Sequence, residues 1–149
     1  MRISTRGEYG TRAMLEIALH YKQGPITLKD IAAKQAISEP YLEQLAASLR
    51  KAGLISSTRG AQGGYELVRA PAEITISDII KALEGPITPV GCVNEDITET
   101  GCQNPDKCAT RLLWTKLRDC IVSFLETTTL ADLVETTLEL NKDSVMYYI

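Results

Sequence analysis

The chain has 149 residues, of which 44% are hydrophobic, and a formal net charge of −3 at pH 7. This length fits one domain or two small ones, no apolar run reaches the ~20 residues of a membrane span, and the segment Met1–Arg6 lacks the apolar core of a signal peptide. We therefore expect a cytoplasmic protein, in which the four cysteines are more often thiols or metal ligands than disulfides.

Capping signals and helical spacing predict two helices at the start of the chain. Thr5 and Glu8 have the spacing of a capping box, which predicts a first helix from about Arg6 to Tyr21. Thr27 has the form of a second N-cap and predicts a short helix that ends near Lys34.

A third helix and a β-hairpin follow. Ser38 is the expected N-cap of the helix, Pro40 fits its first turn, and Gly53 ends it. Its predicted buried stripe consists of Leu42, Leu45, Ala46 and Leu49. Two strand-like runs, residues 54–57 and 64–68, flank a glycine-rich turn. Helix, short helix, helix and hairpin is the order of a winged helix-turn-helix, which we assign to residues 1–84.

The second half is predicted to contain three helices and one long loop. Thr75 caps a fourth helix, whose apolar face consists of Ile76, Ile79, Ile80 and Leu83. Residues 85–108 form the cysteine-bearing loop, and a long helix runs from about Ala109 to Glu126. Another helix ends near Leu140, so residues 109–140 form the helical unit and residues 141–149 a C-terminal tail.

The long helix carries two adjacent apolar stripes, which are more than a small winged domain needs to cover it. One stripe consists of Leu113, Leu117, Cys120 and Phe124, and the other of Trp114, Arg118, Ile121 and Leu125. We interpret this helix as a dimerisation helix. Burial within its own chain is the alternative. The predicted fold class is thus mainly α with a small β-hairpin, a winged helix-turn-helix domain plus a long dimerisation helix.

Charge is distributed unevenly along the chain. Residues 1–70 carry ten Lys+Arg and six Asp+Glu, a balance of +4, whereas residues 71–149 carry six and thirteen, a balance of −7. A basic half that faces DNA, joined to an acidic body, would give this asymmetry, although chance would also give it.

The polar residues of the third helix and of the wing are the candidate DNA contacts: Ser38, Tyr41, Glu43, Gln44, Arg50, Arg59 and Gly60. Gln44 can read adenine, and Glu43 can accept a hydrogen bond from cytosine N4 in the major groove. Ser38 and Tyr41 suit phosphate oxygens, and Arg50 supplies charge for the DNA backbone. Arg59 beside Gly60 has the form of a minor-groove probe. The alternative for the helix residues is a solvated face.

Three cysteines, Cys92, Cys102 and Cys108, fall within seventeen residues of the loop. Three thiolates can converge on one metal centre, but their spacing is not the C-x2-C pair of zinc ribbons or thioredoxin-like enzymes. A purely structural zinc site remains an alternative, and no catalytic motif supports an enzyme. We expect His20 to pack or to be solvated, and Cys120 to be a buried free cysteine on the long helix.

Several segments together resemble the Rrf-type family of winged-helix regulators, with IscR-like, NsrR-like and CymR-like features. They are residues 41–45, 49–55, 59–65 and 102–114, so that the resemblance extends over nearly the whole chain. The resemblance implies a homodimer that binds a pseudo-palindromic, double-stranded DNA operator. It also implies an iron–sulfur cluster on the three loop cysteines, base reading by Glu43 and Gln44, and a wing contact by Arg59.

The chain departs from the IscR-like pattern at the cluster. The first gap between cysteines is longer, and Arg111 stands where that pattern has a histidine ligand, three positions after Cys108. An arginine side chain stays protonated and cannot ligate iron in the ordinary way. Some redox and nitric oxide sensors of the family use a carboxylate from the first helix of the partner subunit, and Glu8 stands at that place. The alternative for Glu8 is the capping box with Thr5.

We therefore expect a dimeric transcription regulator, not an enzyme, that senses iron–sulfur status, redox state or nitric oxide through its cluster. A [2Fe-2S] cluster is favoured over [4Fe-4S]. The alternative is a cluster-free, CymR-like repressor of cysteine metabolism genes, controlled by a partner protein or by thiol oxidation.

Overall fold

The computed structural model describes residues 2–94 and 104–146. Within them the chain forms helices joined by short loops and a two-stranded antiparallel sheet. The helices are α1 (Thr5–Leu19), α2 (Leu28–Gln35), α3 (Glu39–Lys51), α4 (Ile76–Glu84), α5 (Ala109–Thr127) and α6 (Leu130–Met146). The strands are β1 (Ile55–Thr58) and β2 (Gly64–Leu67), and short 3-10 turns cover Pro71–Glu73, Gly91–Val93 and Pro105–Lys107.

The predicted fold class is confirmed: the protein is mainly helical, and its β-hairpin is a wing. Strands β1 and β2 pair with Ile55 opposite Leu67, so that both buried ends of the hairpin face the helices. The segment before α2 extends this sheet by one bridge, in which Tyr65 N donates to Ile26 O at 2.8 Å and Ile26 N donates to Tyr65 O at 3.1 Å. The wing is therefore fixed to the helical body through its second strand.

The core lies between α1, α3, α4 and the base of the wing. Its fully buried side chains come from every one of these elements and include Met14, Leu42, Leu45, Leu49, Ile55 and Ile79. Helices α1 and α4 approach closely because α1 has glycine at the contact: a Cβ on Gly10 would collide with the Leu83 side chain. The predicted stripes of α3 and α4 are confirmed, since Leu42, Leu45, Ala46, Leu49, Ile76, Ile79, Ile80 and Leu83 are buried.

Two predictions about helix ends are wrong. The N-cap of α1 is Ser4, whose Oγ accepts from Gly7 N at 3.3 Å, and not Thr5. A carboxylate distant in sequence completes this cap: Glu84 Oε1 accepts from Ser4 N at 3.0 Å and from Gly7 N at 3.1 Å, so Glu8 is not needed there. The last helix does not end near Leu140 but continues to Met146, so most of the expected tail is helical.

Helix α5 lies outside the core, and none of its residues is buried. Three large apolar side chains on it are exposed, namely Leu112 at 64%, Leu113 at 55% and Phe124 at 67%. The alternative that the helix is buried within its own chain is therefore wrong for these three side chains, whereas the second stripe is half-buried and its Leu125 packs against the core. Cys120 is exposed as well, which corrects the prediction of a buried thiol: it belongs to a stripe that its own chain does not cover.

The corner between α5 and α6 is attached to the body by main-chain hydrogen bonds. Ile76 N donates to Thr128 O at 2.9 Å, and Leu130 N donates to Ile74 O at 3.0 Å. Leu130 is fully buried, so α6 starts inside the core and then runs over the surface. Within residues 2–94 and 104–146, no helix has both the length and the apolar character to cross a membrane.

Candidate DNA-reading surface and cysteine loop

Helix α3 presents a polar face opposite its buried leucines. Ser38 caps the helix by accepting from Tyr41 N at 3.4 Å, and Glu43 and Gln44 project outward as exposed side chains one turn further on. Since the opposite face of the helix is buried in the core, the backbone that carries these two side chains has a fixed position on the surface. This arrangement suits insertion of one helix into a major groove.

Two other polar residues of α3 are engaged within the protein. Tyr41 is half-buried against Tyr9, with ring centroids 6.0 Å apart and an edge-to-face angle of 82°. Arg50 Nη1 donates to Ser57 Oγ at 3.2 Å and thereby joins the end of α3 to the first strand of the wing. Arg50 thus has a structural contact in addition to the phosphate contact predicted for it.

The tip of the wing is exposed and carries Arg59 and Gly60. Gly60 has a φ of +112°, which a residue with a Cβ rarely adopts, and Gly63 N closes the turn by donating to Gly60 O at 3.0 Å. The glycine therefore permits the tight turn that places Arg59 at the exposed tip of the wing.

A polar network between α1 and α2 fixes the turn that leads into α3, and the sequence reasoning missed it. Arg12 donates to both the side-chain and the main-chain oxygen of Gln35, at 2.9 and 2.8 Å. Gln35 Nε2 in turn donates to Glu16 Oε1 at 2.7 Å, and Lys34 Nζ lies 3.5 Å from the same carboxylate. Glu16 is only 8% exposed. The sequence did contain a signal for this network, because the helical spacing of α1 places Glu16 on the buried face of that helix.

Arg6 connects α4 with α3. Its Nε donates to Leu83 O at 3.2 Å, in the last turn of α4, and its Nη2 donates to Ser48 Oγ at 3.1 Å. Ser48 also donates to Gln44 O at 3.4 Å. A single half-buried side chain therefore joins the element that precedes the cysteine loop to the candidate DNA-reading helix.

The cysteine loop is described at both ends. The 3-10 turn Gly91–Val93, here named the Cys92 turn, packs on α5: Arg118 Nη1 donates to Val93 O at 2.7 Å, and Arg111 Nε donates to Cys92 O at 3.3 Å. The turn Pro105–Lys107, named the Pro105 turn, leads directly into Cys108, and Arg111 Nη1 donates to Pro105 O at 3.4 Å. One guanidinium thus contacts both ends of the loop.

Of the three predicted cysteine ligands, Cys102 lies outside the described residues. Cys92 and Cys108 are half-buried, and Cys108 Sγ lies 3.2 Å from Thr110 Oγ1 at the start of α5. Among residues 2–94 and 104–146, no set of three His, Cys, Asp or Glu side chains is placed to hold a metal. The donor chemistry fits an iron–sulfur cluster, because such clusters are held by cysteine thiolates.

Glu8 lies in the first turn of α1 and His20 at the C-terminal end of the same helix. The Glu8 side chain is 61% exposed on α1, and its nearest charged partner is Arg12 Nη1 at 4.0 Å. It is free of the capping role that we considered for it. His20 caps the C-terminal end of α1, and its Nδ1 lies 3.1 Å from Glu16 O, which agrees with the structural role expected for this residue.

Comparison with known proteins accounts for this combination of features. Residues 3–136 match the Rrf2 family, described as iron-dependent transcriptional regulators. The chain belongs to the Rrf2 family. It is 44% identical to the HTH-type transcriptional regulator CymR of Bacillus subtilis over 149 residues, which is 100% of both chains. It is 42% identical to IscR of Photorhabdus laumondii over 134 residues, covering 90% of this chain and 79% of that protein.

The fold agrees with a solved Rrf2 structure. CymR (YrzC), described as the global cysteine regulator of B. subtilis, superimposes with a TM-score of 0.77 and 46% identity over 91% of this chain and 98% of that chain. These relatives are named as transcriptional regulators and not as enzymes. This confirms the expected resemblance and the expectation that the chain is a DNA-binding transcription regulator and not an enzyme.

Proposed function

We propose that this Rrf2 protein is a homodimeric repressor or activator whose affinity for its operator is tuned by an iron–sulfur cluster on Cys92, Cys102 and Cys108. A [2Fe-2S] cluster is favoured over [4Fe-4S], with Glu8 of the partner subunit as the candidate fourth ligand. The supporting observation is that Arg111 contacts both ends of the cysteine loop, beside two half-buried thiols.

The DNA-reading role of the winged domain rests on a rigid polar face. Glu43 and Gln44 are the proposed base readers, because they are exposed on a helix whose other side is buried. Ser38, Tyr41 and Arg50 are assigned to phosphate, and Arg59 with Gly60 to the minor groove beside the recognition helix. A protein that binds DNA must be in the same compartment as the DNA, and we therefore retain the cytoplasmic location expected from the sequence.

The homodimer rests on α5. Its exposed Leu112, Leu113 and Phe124 form an apolar surface that a second copy of the same helix would cover in a two-fold arrangement. Such a dimer would present two copies of α3, as a pseudo-palindromic operator requires. We accordingly divide the chain into a DNA-binding domain, 1–84, a cysteine loop, 85–108, and dimerisation helices from residue 109.

When bound, the cluster would supply a centre that reacts with oxidants or nitric oxide. The residues around the loop determine how a change there reaches the DNA-reading helix. The loop leaves α4 directly after Glu84, which holds the start of α1 through Ser4 and Gly7. Arg6 then connects the same end of α4 to Ser48 on α3. A displacement of the loop therefore reaches α3 through two polar contacts.

The first test of the cluster is the visible spectrum with iron and sulfide assays on anaerobically purified protein. We expect brown protein with stoichiometric iron and sulfide, and loss of the colour in Cys92→Ala, Cys102→Ala and Cys108→Ala. Cys120→Ala is the matched control, because it removes an exposed cysteine away from the loop. Full colour in Cys102→Ala would contradict the assignment of three ligands, and zinc without iron would indicate a structural metal site.

A second candidate function is a cluster-free repressor of cysteine metabolism genes, controlled by thiol oxidation or by a partner protein. The observation that favours it is the match to CymR over the full length of both chains. The discriminating measurement is operator affinity of iron-free protein before and after peroxide treatment. Specific operator binding by the iron-free protein that peroxide changes would favour this candidate over the cluster sensor, provided that the effect of peroxide is lost in Cys92→Ala and Cys108→Ala.

A further inference from the structure

Arg111 stands three residues after Cys108, where the IscR-like pattern places a histidine ligand. The structure gives it a different use. Its guanidinium donates to Cys92 O at 3.3 Å and to Pro105 O at 3.4 Å, so it joins two segments of chain that the intervening cysteine loop separates. Arginine can do this because its planar group carries several donors in a fixed fork, whereas one lysine ammonium is a single point charge.

The base of this contact and one of its two targets, the Cys92 turn, are fixed independently of it. Arg111 lies in the first turn of α5, and its own carbonyl accepts from Thr115 Oγ1 at 2.8 Å. The Cys92 turn rests on the same helix through Val93, which is 4% exposed and whose carbonyl accepts from Arg118 Nη1 at 2.7 Å. The guanidinium of Arg111 therefore holds the Pro105 turn, and with it Cys108, against a turn that is already anchored.

We propose that Arg111 is a positioning residue that assembles the two cysteine-bearing ends of the loop before any metal is bound. At the position where the IscR-like pattern has a histidine ligand, this chain has an arginine that tethers the two ends of the loop through main-chain hydrogen bonds. Bringing the two ends of a loop together costs chain entropy. In this protein the ends come together when the chain folds, so the thiols of Cys92 and Cys108 are preorganised before a metal or cluster binds. The use of this preorganisation for a cluster rests on the proposed function, whereas the tether itself does not.

The test measures amide hydrogen exchange in metal-free, reduced protein. The informative amides are Val93, Asn94 and Lys107, whose N–H groups close the two turns on Val90, Gly91 and Asn104. In Arg111→Ala we expect exchange at both turns to become roughly fivefold faster, since a hydrogen bond to a charged group is lost at each. Arg111→Lys should restore protection at one turn at most.

Lys116→Ala is the matched control. Lys116 is an exposed cation on the same helix, and alanine is an equally good helix former, so exchange should stay at the wild-type rate. Unchanged exchange at both turns in Arg111→Ala, or wild-type amides that exchange as fast as an unstructured peptide, would overturn the proposal. Equally faster exchange in Lys116→Ala would overturn it as well, because the effect would then come from a change in helix α5 and not from the contacts of Arg111.

A second measurement links the tether to the cluster. The visible absorbance of reconstituted protein should decay to a chelator several-fold faster in Arg111→Ala than in Lys116→Ala, whereas equal decay would exclude a role in cluster retention. If wild-type protein holds no iron and sulfide, the proposed cluster fails, but the exchange result still decides whether Arg111 assembles the loop.

Discussion

The winged domain and the α5 region are held together in different ways. In the winged domain, each of the helices α1, α3 and α4 buries an apolar stripe and begins at a side-chain cap. Helix α5 buries no residue, and Cys108 at its N-terminus makes no side-chain cap. The loop on α5 is held by arginine contacts to main-chain carbonyls. The core of the winged domain is complete in one chain, whereas the exposed apolar face of α5 would be covered only in the proposed dimer.

The sharpest test of this difference removes a large apolar side chain from each region. Leu45→Ala should lower the free energy of unfolding by about 2–5 kcal/mol, because Leu45 is fully buried in the core. Phe124→Ala should leave the stability of the monomer within about 0.5 kcal/mol, because Phe124 is 67% exposed, and should instead weaken self-association. Denaturant unfolding and sedimentation equilibrium measure the two effects. Equal destabilisation by both variants would contradict the comparison.

Specificity should be confined to the winged domain. Glu43→Ala is expected to lower the free-energy difference between the preferred and the other bases at one operator position by about 1–3 kcal/mol. An exposed carboxylate near phosphates favours binding only where it accepts a hydrogen bond from a base. Competition binding with single-base operator variants measures this. Cys102→Ala should alter the response to the signal and leave the base preference unchanged. An unchanged preference in Glu43→Ala would show that Glu43 is only a solvated residue.

Affinity without specificity should depend on the wing. Arg59→Ala is expected to weaken operator binding by roughly 1 kcal/mol and to reduce the slope of log K against log salt concentration by about one. Titrations at several salt concentrations measure both quantities. Arg69→Ala, which removes another exposed cation beyond β2, is the control. The same loss in both variants would indicate a general effect of positive charge.

The smallest effect tests a local feature of the winged domain, the cap at the N-terminus of α1. Ser4→Ala should cost about 1 kcal/mol of stability, because Ser4 caps the helix, whereas Thr5→Ala should stay within about 0.5 kcal/mol. Chemical denaturation of the two variants decides between the observed cap and the capping box that the sequence suggested. A larger loss in Thr5→Ala would restore that capping box.

These contrasts also explain what could be predicted. The caps Thr27, Ser38 and Thr75 were correct, because a side-chain oxygen and the amide that it accepts from lie within three residues of each other. The cap of α1 was assigned to Thr5 because Glu8 has the capping-box spacing from it, whereas the carboxylate that completes the observed cap on Ser4 is that of Glu84, which is distant in the sequence. The exposure of Cys120 could not be read from its helical stripe, since an apolar pattern does not say which chain covers it.

The candidate site shows the same limit. Spacing predicted that Glu43 and Gln44 are exposed, because both lie opposite a buried leucine stripe, and their role as base readers stays a prediction. The spacing gave no indication that Arg111 would contact Cys92, which lies 19 positions earlier in the chain, or that Arg6 would join α4 to α3. Contacts of long polar side chains to main-chain carbonyls leave no periodic trace in a sequence.

The main-chain bridge at the corner between α5 and α6 has a mechanical consequence. With Thr128 and Leu130 bonded to the body, α5 is a rod clamped at its C-terminal end. A helix of 19 residues is about 28 Å long, so a tilt of about 5° about that clamp displaces the opposite end by roughly 2.5 Å. The cysteine loop is attached at that far end, where leverage is greatest. A force that the loop exerts there acts with the longest lever arm, and in the proposed symmetric dimer the displacements of the two helices would add.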